Sequence, residues 1–212
     1  MPRTALLLGA TGLVGREILR LLLDDTRVER VTVIARRPTG NTSPKLDERI
    51  LDLSEMQQHP DAFAAEAIFC ALGTTIKKAG SQEAFRVVDY DYPLMAGRLG
   101  KQQGARHYLL VSALGANAHS RVFYNRVKGE VERDLLALNY PRTTIARPSL
   151  LLGDREEFRL GERVFERLGW LMPPAYKPVH ARDVAAALVD ASHAQESGVQ
   201  VLESRVIRAR RK

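Results

Sequence analysis

Tyr124 and Lys128 stand four residues apart in Phe123-Tyr-Asn-Arg-Val-Lys-Gly129, a spacing that places both on one face of a helix. An ammonium close to a phenol favours the phenolate, so the pair suits proton exchange with a reacting oxygen. Ser112 closes an apolar run twelve residues upstream. From a strand end its hydroxyl could donate to a substrate carbonyl oxygen while the tyrosine carries the proton.

A second constellation opens the chain. Leu6-Leu-Leu-Gly9-Ala-Thr-Gly12-Leu-Val-Gly15 runs straight into Arg16-Glu-Ile-Leu-Arg-Leu-Leu-Leu23, which reads as strand, glycine turn and amphipathic helix. Such a unit is a pyrophosphate seat: Gly9 allows the reversal, Gly12 leaves room for a phosphate, and Gly15 lets helix and strand pack closely. The free N–H groups of the helix start then face the anion, so a dinucleotide is the expected ligand. NAD sites usually end the second strand in an acid that accepts from the ribose hydroxyls. Here that place holds Arg36-Arg37-Pro38. Two guanidinium groups suit a 2′-phosphate, so NADP is expected ahead of NAD.

These residues need a scaffold, and the pattern supplies one. Strand-like runs at Ala5–Leu8, Val31–Ala35, Arg49–Leu53, Ala67–Leu72, His107–Ser112, Thr143–Arg147 and Gln200–Leu202 alternate with helical stretches at Gly12–Asp24, Met56–Ala65, Gln82–Gln103 and Tyr124–Leu138. The alternation predicts an α/β fold, a Rossmann-like doubly wound parallel sheet in one domain over residues 1–212. The turn clusters Pro38–Pro44 and Gly115–Ser120 follow strands and are candidate site loops. Beyond Arg147 the pattern loosens. Residues 149–178 read as a substrate-covering segment, an oligomer contact or a core edge, and the apolar run Phe165–Tyr176 hints at an apolar small-molecule substrate. Asp183 reads as a helix N-cap.

Composition narrows the function classes. The chain has 212 residues, 45% hydrophobic and 27% charged, with a formal net charge of +7, ordinary values for a globular protein. Five of the positive charges lie in the basic tail 205–212, expected to be solvated. The body is then near neutral, and no specific nucleic-acid partner is expected. The apolar runs are too short for a membrane span, no secretory leader is expected, and cytoplasmic residence follows by elimination. Cys70 is the only cysteine, which excludes an intrachain disulfide and a thiolate metal cage. No metal site is expected, and His180 lacks a second ligand at useful spacing. Gly-x-Ser-x-Gly is absent, and the glycine turn lacks the Lys-Ser/Thr ending of a P-loop.

Gly9-Ala-Thr-Gly12-Leu-Val-Gly15, strand-end Ser112 and Tyr124-Asn-Arg-Val-Lys128 together resemble the short-chain dehydrogenase/reductases in their extended or atypical branch. Cys70-Ala-Leu-Gly-Thr-Thr75, Val87-Val-Asp-Tyr-Asp-Tyr92, Lys128-Gly-Glu-Val-Glu132 and Arg147-Pro-Ser-Leu-Leu-Leu-Gly-Asp154-Arg155-Glu156 are similar to its Tat-interactive-protein-like members, over roughly residues 4–190. The resemblance implies a catalytic triad of Ser112, Tyr124 and Lys128, with Lys128 also holding the nicotinamide ribose. It implies Gly9, Thr11, Gly12, Leu13, Val14 and Gly15 around the pyrophosphate, and Asp52 and Leu53 at the adenine. Leu72, Gly73 and Thr74 would border the adenosine ribose and diphosphate, and Pro148, Ser149 and Leu150 would flank the nicotinamide. One departure stands out. Many members carry an asparagine in the helix before the serine-bearing strand as part of a proton relay, whereas Phe85–Gln103 has none and offers Asp89 or Asp91 instead. The implied activity is NADP-dependent hydride transfer between the nicotinamide and a carbonyl or alcohol. The same branch also holds members known more for interactions, which implies a dinucleotide-binding regulatory or sensor protein as the alternative. By analogy to relatives, a homodimer would form through Gln82–Gln103 and Tyr124–Leu138.

Overall fold

The computed structural model describes residues 3–152, 176–194 and 196–209. Seven parallel strands form the sheet: β1 (Thr4–Leu8), β2 (Arg30–Ala35), β3 (Leu46–Ile50), β4 (Ala67–Cys70), β5 (His107–Val111), β6 (Arg142–Arg147) and β9 (Gly198–Glu203). Their order is β3-β2-β1-β4-β5-β6-β9. The chain steps outward in one direction from β1 to β3, then crosses back to β4 and continues the other way. That reversal leaves a crevice between the carboxyl ends of β1 and β4, the place where such sheets bind ligands.

Leu6, Leu7 and Leu8 are all fully buried because both faces of the sheet are covered, which is why β1 reads as continuously apolar. Each such leucine contributes about 1.5–3 kcal/mol on burial. On one face α1 (Leu13–Asp24) and α6 (Ala181–His193) pack against each other and over Leu7, Val33, Phe69 and Leu109. On the other, α4 (Tyr92–Gln102) and α5 (Phe123–Leu136) cover Leu6, Leu8, Ile68 and Leu110. A two-stranded piece, β7 (Leu151–Leu152) with β8 (Val179–His180), stands apart from the main sheet. The parallel, doubly wound expectation holds.

Several expected elements differ. The third strand is Leu46–Ile50 rather than Arg49–Leu53. Asp52 instead caps a 3-10 turn, Leu53–Gln58, by accepting from Ser54 N, with Glu55 reaching back in a capping box. The helix expected over Met56–Ala65 is that turn and a second one, Pro60–Phe63, since Pro60 has no N–H to continue the ladder. The expected helix Gln82–Gln103 is α3 (Gln82–Arg86), a π turn at Val87–Asp91, and α4. Pro93, at the start of α4, has no N–H to give the Asp89 carbonyl, which favours the wider turn before it. A short α2 (Ile76–Ala79) precedes α3.

Asp183 is not an N-cap: α6 starts at Ala181 after His180, so Asp183 sits in the first turn. The basic terminus is not merely solvated either. Ser204–Ala209 forms α7, which buries Ile207 completely, and Arg208 donates to Lys177 O at 3.2 Å. Of the substrate-covering segment, residues 153–175, with Phe165 and Trp170, lie outside the described residues, as do Arg210–Lys212.

Candidate functional site

The site begins at the β1–α1 turn. Gly9 takes a φ of +84°, and Gly12 N donates to Gly9 O at 2.9 Å. A Cβ on Gly15 would lie 2.0 Å from Gly9 O, so the first turn of α1 sits on the loop as only glycine permits. The N-cap Gly12 has no side chain to bond the helix start, and the first turn carries no acid. The leading N–H groups and the positive end of α1 therefore remain for an anion. Val14 is buried and Leu13 packs against the core, which leaves their backbone N–H groups as what they can offer. These features fit a pyrophosphate.

Beside the turn lies a cleft of about 370 Å³ whose lining includes Thr11, Arg16, Arg20, Arg37, Thr39 and Asn41. Arg20 pairs with Glu17 and Asp24, whereas among the described residues neither Arg16 nor Arg37 pairs with a carboxylate. The two arginines that end β2 part company. Arg37 lines the cleft, while Arg36 bears on Asp52. The Asp52 carboxyl is held below its usual range, chiefly by its hydrogen bonds from Ser54 and then by Arg36. It is thus already engaged, and Leu53 is buried in the core. Arg16 was not anticipated; its place directly after Gly15 was the signal.

The second wall comes from β4 and α5. A Cβ on Gly9 would strike Ala71 O, so the glycine turn and the end of β4 abut. Two residues on, a Cβ on Gly73 would sit 3.6 Å from Asp89 Oδ1 and 4.0 Å from Lys128 Nζ. Leu72 packs partly against the core, and Thr74 N donates to Asp89 Oδ2 at 2.9 Å. Lys128 Nζ lies 2.7 Å from Asp89 Oδ1, with both side chains buried. Burial pulls the Lys128 ammonium down, but Asp89 and then Tyr124 outweigh it and hold it above its ordinary range. The half-buried Tyr124 ring rests on Phe85, centroids 5.5 Å apart.

Gly129 explains how the Ser112 loop reaches this wall. A Cβ there would fall 2.1 Å from Ala118 N, so the loop lies directly on α5, and Asn117 N donates to Asn125 O at 2.9 Å. Ser112 is buried at the end of β5, and its hydroxyl donates to Glu132 Oε1. Glu132, one turn beyond Lys128, is itself buried and gripped by Arg147, with Nη2 to Oε2 at 2.5 Å and Nε to Oε1 at 3.1 Å. Arg147 Nη1 also reaches Glu203 at 3.3 Å. A hydroxyl has one proton to give. As placed, Ser112 gives that proton to Glu132, which leaves its lone pairs for another partner.

Buried Pro148 accepts from Leu114 N at 2.8 Å, beside the Ser112 loop. Ser149 donates to Lys177 O at 2.6 Å and accepts from Ser204 Oγ at 2.9 Å, while Leu150 is exposed. The structure thus brings together Gly73, Thr74, Tyr124 and Lys128, joins Ser112 to the same face of α5 through Glu132, and leaves the Arg36 charge close enough to act on Asp52. Glu132 was foreseeable from the spacing Tyr124, Lys128, Glu132. Arg147 as its partner was not, because the contact joins α5 to β6. Among the described residues no group of three or more His, Cys, Asp or Glu side chains is arranged to hold a metal ion. No helix among them is long and apolar enough to cross a membrane.

Residues 4–89 match the family model described as semialdehyde dehydrogenase, NAD binding domain. "Protein FMP52-1, mitochondrial" of Scheffersomyces stipitis is 40% identical over 158 residues, covering 72% of this chain and 69% of that protein. FMP52 of Candida albicans is 34% identical, covering 87% and 85%. HTATIP2 of Rattus norvegicus is 32% identical over 190 residues, covering 88% and 78%. Among solved structures, MoeE5 in complex with UDP-glucose and NAD superposes with a TM-score of 0.75 at 17% identity, covering 94% of this chain and 75% of that one. A UDP-N-acetylglucosamine 4-epimerase from Methanobrevibacter ruminantium gives 0.72 at 15%, covering 95% and 76%; both show likeness of fold. The cytoplasmic expectation does not stand against the FMP52 names, which point to the mitochondrion.

Proposed function

The chain belongs to the atypical short-chain dehydrogenase/reductases, the family of HTATIP2 and FMP52, and on that premise we propose that it is an NADP(H)-dependent oxidoreductase acting on a carbonyl or alcohol substrate. The observation that carries the reading is the buried Lys128 ammonium beside Tyr124, next to Gly73 on the β4 side of the point where the strand order reverses, with the uncapped α1 on the β1 side. In this reading Gly9, Thr11, Gly12 and Gly15, with the N–H groups of Leu13 and Val14, hold the pyrophosphate. Arg37 and Arg16 receive the 2′-phosphate, Leu72–Thr74 border the diphosphate, and Pro148–Leu150 flank the nicotinamide. When bound, the dinucleotide supplies or accepts hydride. Lys128 directs to the ribose a donor not turned to Asp89, and Tyr124 gives or takes the proton at the substrate oxygen. Ser112, its proton committed to Glu132, has its lone pairs open to a substrate donor other than the hydroxyl whose proton Tyr124 takes.

A second reading, a dinucleotide-binding sensor with little turnover, is favoured by one observation: the Ser112 hydroxyl and the Lys128 ammonium are both already engaged by carboxylates. The two readings separate on one comparison. Wild type and Tyr124→Phe are titrated with NADPH and NADH, then run against a carbonyl and alcohol panel while nicotinamide absorbance is followed. A change that Tyr124→Phe abolishes supports the oxidoreductase. Unchanged affinity in Tyr124→Phe with no Tyr124-dependent absorbance change on any substrate supports the sensor.

A further inference from the structure

Two residues four apart on one helical stretch meet two residues four apart on another. Phe85 of α3 carries the Tyr124 ring, and Asp89 in the π turn meets Lys128. The outer side of the same stretch is tied to α5 as well, through Arg86–Glu130 at 2.5 Å and Tyr90 Oη donating to Asp134 at 2.6 Å. Asp89 is buried, whereas Asp91 is exposed. Its second oxygen takes the Thr74 N–H at the edge of the crevice. A single carboxylate therefore fastens the lysine both to the helix stretch under Tyr124 and to the loop that follows β4. π turns recur at functional sites because they re-aim side chains within a helix.

We propose that Asp89 is a positioning residue, which holds Lys128 as an ammonium and aims it along the crevice by a direct ion pair. The placement along a cofactor crevice rests on the function proposed above; the ion pair and its consequence for the lysine do not. A buried ammonium needs a counter-charge, and the groups facing Lys128 are few. Tyr124 on α5 and the Cys70 thiol on β4 both bear on it, and burial pushes that thiol up, so it stays neutral. Glu132, one turn along α5, is consumed by Ser112 and Arg147. Among the described residues, Asp89 is the carboxylate left to do it.

The test follows lysine ionisation by NMR in protein carrying isotope-labelled lysine and no cofactor, with Lys128→Met identifying the Lys128 signal. In wild type the Lys128 signal is expected to stay protonated to about pH 10 or above. In Asp89→Asn, which keeps an acceptor for Thr74 N–H, the midpoint is expected to fall by about two pH units or more, and Asp89→Glu is expected to recover most of it. A wild-type signal that deprotonates well below the ordinary lysine range, or an Asp89→Asn signal that titrates like wild type, overturns the proposal. The wild-type arm decides even should the variants misfold. NADPH titrations on the same proteins give a separate readout. Affinity in Asp89→Asn is expected to fall about tenfold between roughly pH 7 and 9 as the lysine loses its proton, while wild type stays level. A wild type that binds neither dinucleotide sinks the functional reading and leaves the lysine titration to judge Asp89 on its own.

Discussion

The sharpest functional expectation concerns the two arginines that end β2. Arg37 lines the cleft beside the glycine turn together with Arg16, whereas Arg36 is not among its lining residues and its charge acts on Asp52. If the cleft receives a 2′-phosphate, Arg37→Ala removes charge-assisted hydrogen bonds worth about 1.5–3 kcal/mol, or roughly 10- to 150-fold in NADPH affinity. NADH, which has no group there, should lose less than about threefold by the same arithmetic. Arg36→Ala should leave the NADPH-to-NADH ratio near its wild-type value. Fluorescence titration of both cofactors against the three proteins measures this directly. Arg37 is exposed, so the selective loss should also shrink as salt is raised. Equal weakening of both cofactors by Arg37→Ala, or a selective loss from Arg36→Ala, would refute the assignment.

Three more perturbations test the glycine turn, a buried histidine and the C-terminal helix. Gly15→Ala places a methyl 2.0 Å from Gly9 O; denaturant melts should show a loss of about 1–3 kcal/mol together with failure of dinucleotide binding, and wild-type affinity in the variant would count against the glycine seat. Buried His107 has its pKa pushed down to about 3 from 6.5, by burial first and then by Arg142. The unfolded chain therefore takes up a proton below 6.5 that the folded chain refuses, so stability is fully present above that value and declines as pH falls toward 3. The loss should reach about 2 kcal/mol at roughly pH 5, and urea melts of wild type and His107→Gln at two pH values should differ in slope; equal slopes would contradict it. Ile207→Ala should cost about 2–5 kcal/mol in the same assay, because α7 is docked; a loss within error would return the basic terminus to a solvated tail.

Legibility of the fold tracked burial. β1 and its glycine turn were plain in the sequence because both faces of the strand are covered and the turn tolerates only small residues. β3 was misplaced because it is an edge strand whose residues Asp47, Glu48 and Arg49 carry no apolar alternation, which drew the reading toward the apolar Ile50, Leu51 and Leu53. The docking of α7 was signalled only by Val206-Ile207 inside a run of arginines, too short for periodicity to register. The Tyr124–Lys128 pair was legible because it is local to one helix. What holds it was not: Asp89 is set by a π turn ahead of Pro93, and the Ser112 proton is taken by a carboxylate that Arg147 reaches from another element. Contacts between distant segments leave no spacing to read. Residence in the cell was argued only by elimination, and the names of the relatives overturned it.

The β1–α1 turn and the Lys128 wall are expected to form one ligand crevice. Amide NMR during an NADPH titration tests that most directly. The turn amides of Thr11–Gly15, those of Leu72–Thr74 and that of Lys128 should shift together and saturate at one equivalent. Saturable binding that leaves both walls unmoved, or shifts only one of them, would contradict it.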